Sequence, residues 1–177
     1  MKKLYFIRHG LSEGNKQGIW SGRVDTPLSE EGRRQARESG RKAKDLGIDL
    51  IISSPLSRAK ETAELVAAEI GYPKNKIMYS DLLIERHFGD LEGTPHGESD
   101  ESLDLDTIPN VETKAMLLDR ADRALKFLEQ SKAQNILIVS HGSFGRAMRH
   151  HLHDIPFVNS KSSPANVLPN GEVIAWI

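Results

Sequence analysis

The apolar positions of this chain fall into short unbroken runs separated by amphipathic stretches. Residues 4–7, 48–52 and 135–139 are dense in β-prone side chains with little alternation, the pattern of strands covered on both faces of a sheet, and 77–79 is a shorter candidate. Between them the period changes to that of helices. Ser29 reads as an N-cap followed by Glu30 and Glu31, and Ala36, Gly40, Ala43 and Gly47 make a small-residue stripe suited to lying close on a sheet. A helix from Leu56 carries Ala59, Ala63, Val66, Ala67 and Ile70 on one face and stops at Gly71. A third, about 111–130, buries Leu117, Ala121, Leu125 and Leu128, and Phe144, Met148 and Leu152 suit a fourth. Residues 166–168, the turn Pro169-Asn170-Gly171 and residues 173–177 signal a hairpin. Strands alternating with helices predict an α/β fold of three layers, α/β/α, with a mostly parallel sheet and a C-terminal antiparallel hairpin.

The chain has 177 residues, and no linker, repeat or low-complexity tract interrupts them, so one domain spanning 1–177 is expected. Lysine and arginine number 24 against 25 aspartate and glutamate, which gives nucleic acid or an acidic membrane nothing to attract; a small molecule or a protein is the expected partner. Absence of cysteine excludes disulfides, thiolate–zinc sites and cysteine-nucleophile chemistry, and agrees with a reducing cytoplasm. The apolar run before Arg8 is too short for a signal-peptide core, and no segment has membrane-spanning length. Residues 94–113 carry no lysine or arginine but six acids, Glu98, Asp100, Glu101, Asp104, Asp106 and Glu112, and read as an exposed, lid-like acidic loop.

Three of the apolar runs end alike. Residue 7 leads into Arg8-His9-Gly10, residue 52 into Ser53-Ser54-Pro55 with Arg58 in the next helix's first turn, and residue 139 into Ser140-His141-Gly142. In open α/β sheets ligands bind beyond the carboxyl ends of the strands. An isolated Arg-His-Gly merely solvates a loop as a rule, but two histidines and two arginines converging on one crevice suit a tetrahedral dianion, with arginine forks on its oxygens.

Four blocks in order, Phe6-Ile7-Arg8-His9-Gly10-Leu11-Ser12-Glu13-Gly14-Asn15, Ser53-Ser54-Pro55-Leu56-Ser57-Arg58-Ala59, Glu85-Arg86-His87-Phe88-Gly89 and Val139-Ser140-His141-Gly142, carry a resemblance to the histidine phosphatase superfamily and its phosphoglycerate-mutase-like fold. The resemblance covers essentially the whole chain. It implies that His9 is a nucleophile forming a phosphohistidine, that Arg8, Arg58 and His141 bind phosphate, and that Glu85 is the proton donor. It places Ser12, Asn15, Ser21, Gly22 and Gly142 near substrate, and it implies chemistry without a metal or other cofactor.

Mutases of that family carry a long insertion after the glutamate block, usually a tyrosine where Phe88 stands, and an asparagine where Ser143 stands. The short acidic segment here repels a polyanion, so the expectation is a phosphomonoester hydrolase acting on a small phosphorylated metabolite with one main anionic group. Arg23 and His96 are the nearest candidates for a second anion, with Lys161 able to fold in. The alternatives are a 2,3-bisphosphoglycerate-dependent phosphoglycerate mutase, a phosphoprotein phosphatase, and a catalytically idle protein that binds phosphorylated ligands.

Other signals are weaker. Asp104-Leu105-Asp106-Thr107 resembles the paired aspartates of magnesium-dependent phosphatases, but no strong apolar strand precedes it. His150, His151 and His153 beside Asp154 read as an exposed helix end before they read as a metal site. No phosphate loop of the Gly-x-x-x-x-Gly-Lys type is present. Small-residue helices and edge strands permit a homodimer without demanding one.

Overall fold

The computed structural model describes residues 2–97, 103–158 and 167–177. Its strands β1 (Lys3–Arg8), β2 (Leu50–Ser53), β3 (Met78–Tyr79), β4 (Asn135–Ser140) and β5 (Val173–Ala175) form one sheet in the order β3-β2-β4-β1-β5. β1, β2 and β3 run parallel to their neighbours around β4, in a register that sets Lys3 beside Asn135 and Arg8 beside Ser140. The antiparallel C-terminal element is β5, which pairs with β1, Ile7 facing Val173; among the described residues no strand precedes its turn, and residue 166 of the expected hairpin lies outside them. The edge of β1 is the longer apolar template, which a strand three residues long completes.

The unbroken apolar runs are explained by burial on both sides. Tyr5, Ile7, Ile51, Leu137 and Val139 point into one core with Ala59, Ala63, Val66 and Ala67 of α3 (Ser57–Ile70), reached after α1 (Glu13–Gln17) and α2 (Glu30–Ala43). Leu4, Phe6, Ile52, Ile136 and Ile138 point the other way, onto α4 (Lys114–Gln130) and α5 (Gly142–His153). This alternation of period two, with both sets buried, gives the α/β/α layering.

Two further expectations change. The small-residue stripe of α2 packs on α3 rather than on the sheet: a Cβ added to Gly40 would stand 2.6 Å from Glu69 Cβ and 3.2 Å from Val66 Cα. Gly47 lies beyond that helix, at φ +62°. The acidic segment is not simply exposed, because Leu105 and Val111 are buried against Phe88, and Asp106 reaches the fully buried Arg86 at 2.7 Å. Glu112 is buried as well. Glu98, Asp100, Glu101 and Lys161 lie outside the described residues. Among the described residues no helix is long and apolar enough to cross a membrane.

Candidate active site

The sheet itself assembles the histidines. β1 and β4 are adjacent and in register to their last residues, so His9 and His141 leave the sheet side by side, His9 N donating to Ser140 O at 2.9 Å and the two rings 5.1 Å apart. β2 flanks β4 on the other side; Ser54 follows it, and its Oγ meets His141 Nε2 at 2.8 Å. Arg58 comes from the first turn of α3 and is 1% exposed. Its Nη1 and Nη2 donate to Val24 O (3.0 Å) and Gly22 O (2.6 Å), and its Nε to His9 Nε2 at 3.3 Å. Arg58 thereby also pins the loop that carries Ser21 and Gly22.

His9 Nδ1 lies 2.7 Å from Gly10 O. A carbonyl only accepts, so the proton is assigned to Nδ1 and the lone pair to Nε2. Burial, reinforced by the Arg58 and Arg8 charges, holds His9 well below its usual pKa, and the ring is neutral. His141 is held down in the same way, by burial first and then by Arg58, His9 and Arg8. Arg8 Nη1 donates to Leu168 O at 3.1 Å, while its buried Nε has no partner among the described residues.

Glu85 belongs to an irregular stretch whose carboxylate closes on the first turn of α5. Oε1 accepts from Arg86 N (2.8 Å) and Phe144 N (3.0 Å), and Oε2 from Ser143 N (3.1 Å). Amides left unpaired at a helix start find a natural acceptor in a carboxylate. Burial of Glu85 (8% exposed) is thus matched by three donors.

A cavity of about 360 Å³ opens over His9. The residues that the sequence singled out as Arg8, His9, Asn15, Ser21, Gly22, Arg58, Glu85 and Gly142 all line it, as does His96. His141 sits beneath the wall in contact with His9. Ser12 and Arg23 are not on the wall. Ser12 caps α1 in a reciprocal pair with Asn15, and Arg23 points to Glu112 (3.5 Å) and the Glu85 carbonyl (3.5 Å). Sequence reading missed Arg146 and the apolar side formed by Trp20, Leu105 and Leu168. One signal for Arg146 was available: it stands four residues after Gly142, hence over the same face of a helix. His150 and His151 are occupied by the carbonyls of Ile155 and Leu118.

Residues 4–173 match the histidine phosphatase superfamily (branch 1). The chain is 38% identical over 144 residues to the uncharacterized phosphatase PhoE of Bacillus subtilis (strain 168), covering 81% of this chain and 73% of that protein. It is 33% identical over 164 residues to a 2,3-bisphosphoglycerate-dependent phosphoglycerate mutase of Parvibaculum lavamentivorans, covering 82% and 77%. The solved structure of Bacillus stearothermophilus YhfR superposes with a TM-score of 0.84 at 26% identity, over 99% of this chain and 90% of that one. This chain therefore belongs to the histidine phosphatase superfamily, branch 1, among relatives that include both phosphatases and phosphoglycerate mutases.

Proposed function

We propose that the chain is a metal-independent phosphomonoester hydrolase in which 1–177 act as one domain around His9. One observation carries the reading: a neutral imidazole with Nδ1 tied to Gly10 O presents Nε2 to the cavity beside Arg58. Nε2 forms the bond to phosphorus as the ester P–O bond breaks, and Arg8 and Arg58 balance the charge on the equatorial oxygens. Glu85 gives its proton to the departing oxygen. Its Oε2, with one amide bond against two on Oε1, is the oxygen freer to hold that proton. Water then attacks phosphorus, Glu85 takes the water's proton, the N–P bond breaks and phosphate leaves.

Hydrolysis is favoured over mutase turnover by the apolar side of the cavity at Trp20, Leu105 and Leu168 and by the loss of Arg23 to Glu112, since a mutase must hold a second phosphate while its substrate reorients. A small phosphorylated metabolite in a reducing cytoplasm is the corresponding substrate and setting. The test is phosphate release in the presence of a chelator from a panel of monoesters, comparing wild type with His9→Ala and Glu85→Gln. Release that vanishes in His9→Ala supports the proposal. Primer-dependent isomerisation of 3-phosphoglycerate without release would make the chain a mutase, and neither activity would point to a phospho-ligand-binding protein.

A further inference from the structure

Beyond His9 the chain leaves the sheet, and two consecutive amides lose the partners a strand would give them. Both find side-chain oxygens. Gly10 N donates to Thr62 Oγ1 at 3.1 Å, and Leu11 N to Gln35 Oε1 at 2.9 Å. A backbone amide only donates, so the side-chain oxygen of Gln35 is assigned to face it. Thr62 is fully buried on α3 and donates in turn to Arg58 O at 2.7 Å, which joins the turn to the helix carrying Arg58. Gln35 comes from α2 and is not on the cavity wall. The C-terminal turn lies close against its stem: a Cβ added to Gly171 would stand 2.6 Å from Gln35 Cβ and 3.3 Å from its Oε1.

The two contacts differ in the peptide they hold. Leu11 N and Gly10 O belong to one peptide unit, and in a trans peptide N–H and C=O point opposite ways. Gly10 O is the oxygen that accepts from His9 Nδ1 at 2.7 Å. The ring N–H, the Gly10–Leu11 peptide and the Gln35 side-chain carbonyl therefore form one chain of hydrogen bonds running in a single direction. Bonds in such a chain polarise one another, and an acceptor on Leu11 N–H makes Gly10 O a stronger partner for the ring proton. That strength counts when phosphorus is attacked. Nε2 commits its lone pair to the N–P bond while Nδ1 keeps its proton, so the ring turns from neutral to positive as the ester P–O bond breaks. It returns to neutral when water displaces it. Burial and the charges of Arg58 and Arg8 oppose a positive ring, and the Gly10 carbonyl works against them.

We propose that Gln35 is a positioning residue for phosphoryl transfer, acting through the Gly10–Leu11 peptide to hold His9 as its Nδ1–H tautomer and to stabilise the positive charge its ring gains. The inference rests on the phosphomonoesterase reading, in which His9 attacks phosphorus, and adds to it a residue that touches neither substrate nor His9.

The His9 Nδ1 proton can be followed by proton and nitrogen-15 NMR without substrate or turnover. Gln35→Leu should move it upfield, and Gln35→Glu, a stronger acceptor, downfield. Thr62→Val takes the partner from the other amide but leaves the Gly10–Leu11 peptide alone, so it should move the ring proton less than Gln35→Leu does. In steady-state phosphate release Gln35→Leu should lower kcat about tenfold, the scale of one hydrogen bond, with KM little changed. Gln35→Glu, which keeps an acceptor, should restore most of that loss. A thermal melt shows that each variant is folded; if Gln35→Leu is not, Gln35→Glu decides alone by the direction of its ring-proton shift. An unmoved ring proton, or equal displacement in Thr62→Val and Gln35→Leu, overturns the proposal and leaves Gln35 as packing for the turn. A kcat in Gln35→Leu equal to that of the wild type, or a loss confined to KM, overturns it as well. Failure of the wild type to release phosphate from any ester would sink the hydrolase reading and leave the ring-proton comparison to judge Gln35.

Discussion

Glu112 and Arg120 face each other as a buried pair, Arg120 Nε and Nη2 each 2.8 Å from one oxygen of the Glu112 carboxylate. Burial pushes the Glu112 carboxyl up, but the Arg120 hydrogen bonds and charge, the His87 amide and Arg23 outweigh it and leave the group below the usual carboxylate range. Arg120 spends its other donors on Leu82 O (2.9 Å) and Ile84 O (2.7 Å), comes within 3.4 Å of Glu85 O, and lies 4.4 Å over the Phe144 ring. Phe144 N is one of the amides that hold the Glu85 carboxylate. The pair therefore braces Glu85 from both its backbone and its carboxylate side.

Breaking the pair should tell on both stability and proton transfer. Glu112→Ala leaves Arg120 buried and uncompensated, and is expected to lower the unfolding free energy by about 3–5 kcal/mol in a denaturant titration. Glu112→Gln, which keeps the shape, should reduce kcat/KM for alkyl phosphates about tenfold more than for 4-nitrophenyl phosphate, whose leaving group departs without a proton. Equal losses on both esters would show that the pair supports only the fold.

The depressed histidines set a direction for pH. Below the ordinary imidazole value, about 6.5, the unfolded chain binds protons that folded His9 and His141 refuse. The unfolded state then holds more protons, so stability falls as pH drops from about 6.5 towards the folded pKa values and is unaffected by these groups above that. The melting temperature should decline over this range in wild type and less steeply in His141→Asn. Nitrogen-15 NMR at pH 6 should find the His9 and His141 imidazoles still neutral.

Gly10 is where the turn after His9 passes against α2. A Cβ there would meet Gly32 O at 2.3 Å and Gly32 Cα at 2.9 Å, both backbone atoms that cannot swing aside. Gly10→Ala should cost about 1–3 kcal/mol in stability, as overpacking does, and should lower phosphate release by displacing the Gly10 carbonyl that orients His9.

What the sequence made legible follows the range of the interactions. β1, β2 and β4 were readable because burial on both faces writes an unbroken apolar run, and the strand ends could be aligned because each stops at turn chemistry. The partners of charged residues were not readable. Asp106 and Glu112 looked solvated because Arg86 and Arg120 stand 20 and 8 residues away and only folding brings them together. Arg146 was hidden by its own helix, where Phe144 and Met148 dominate the apolar pattern. Arg23, beside the residues that match the family, was read as a substrate group; its guanidinium stands 3.5 Å from Glu112 and 3.5 Å from the Glu85 carbonyl, partners the sequence did not suggest.

Asn170 offers a last test, since it ties the C-terminal turn to His9. Its Nδ2 donates to His9 O at 2.9 Å and lies 3.3 Å from Asn15 Oδ1, while Gly171 N donates to Arg8 O at 2.8 Å. The turn thus holds the backbone of both Arg8 and His9. Asn170→Ala removes one hydrogen bond from a partly buried carbonyl, about 1 kcal/mol of stability, and is expected to lower kcat about tenfold with KM little changed, because the phosphate ligands stay in place while His9 loses its backing. Asn170→Asp sets a carboxylate against two acceptors, His9 O and Asn15 Oδ1, and brings negative charge to the phosphate side. It should raise KM as well as lower kcat, and that split between the two variants in steady-state kinetics distinguishes a backing hydrogen bond from an electrostatic contribution to substrate binding.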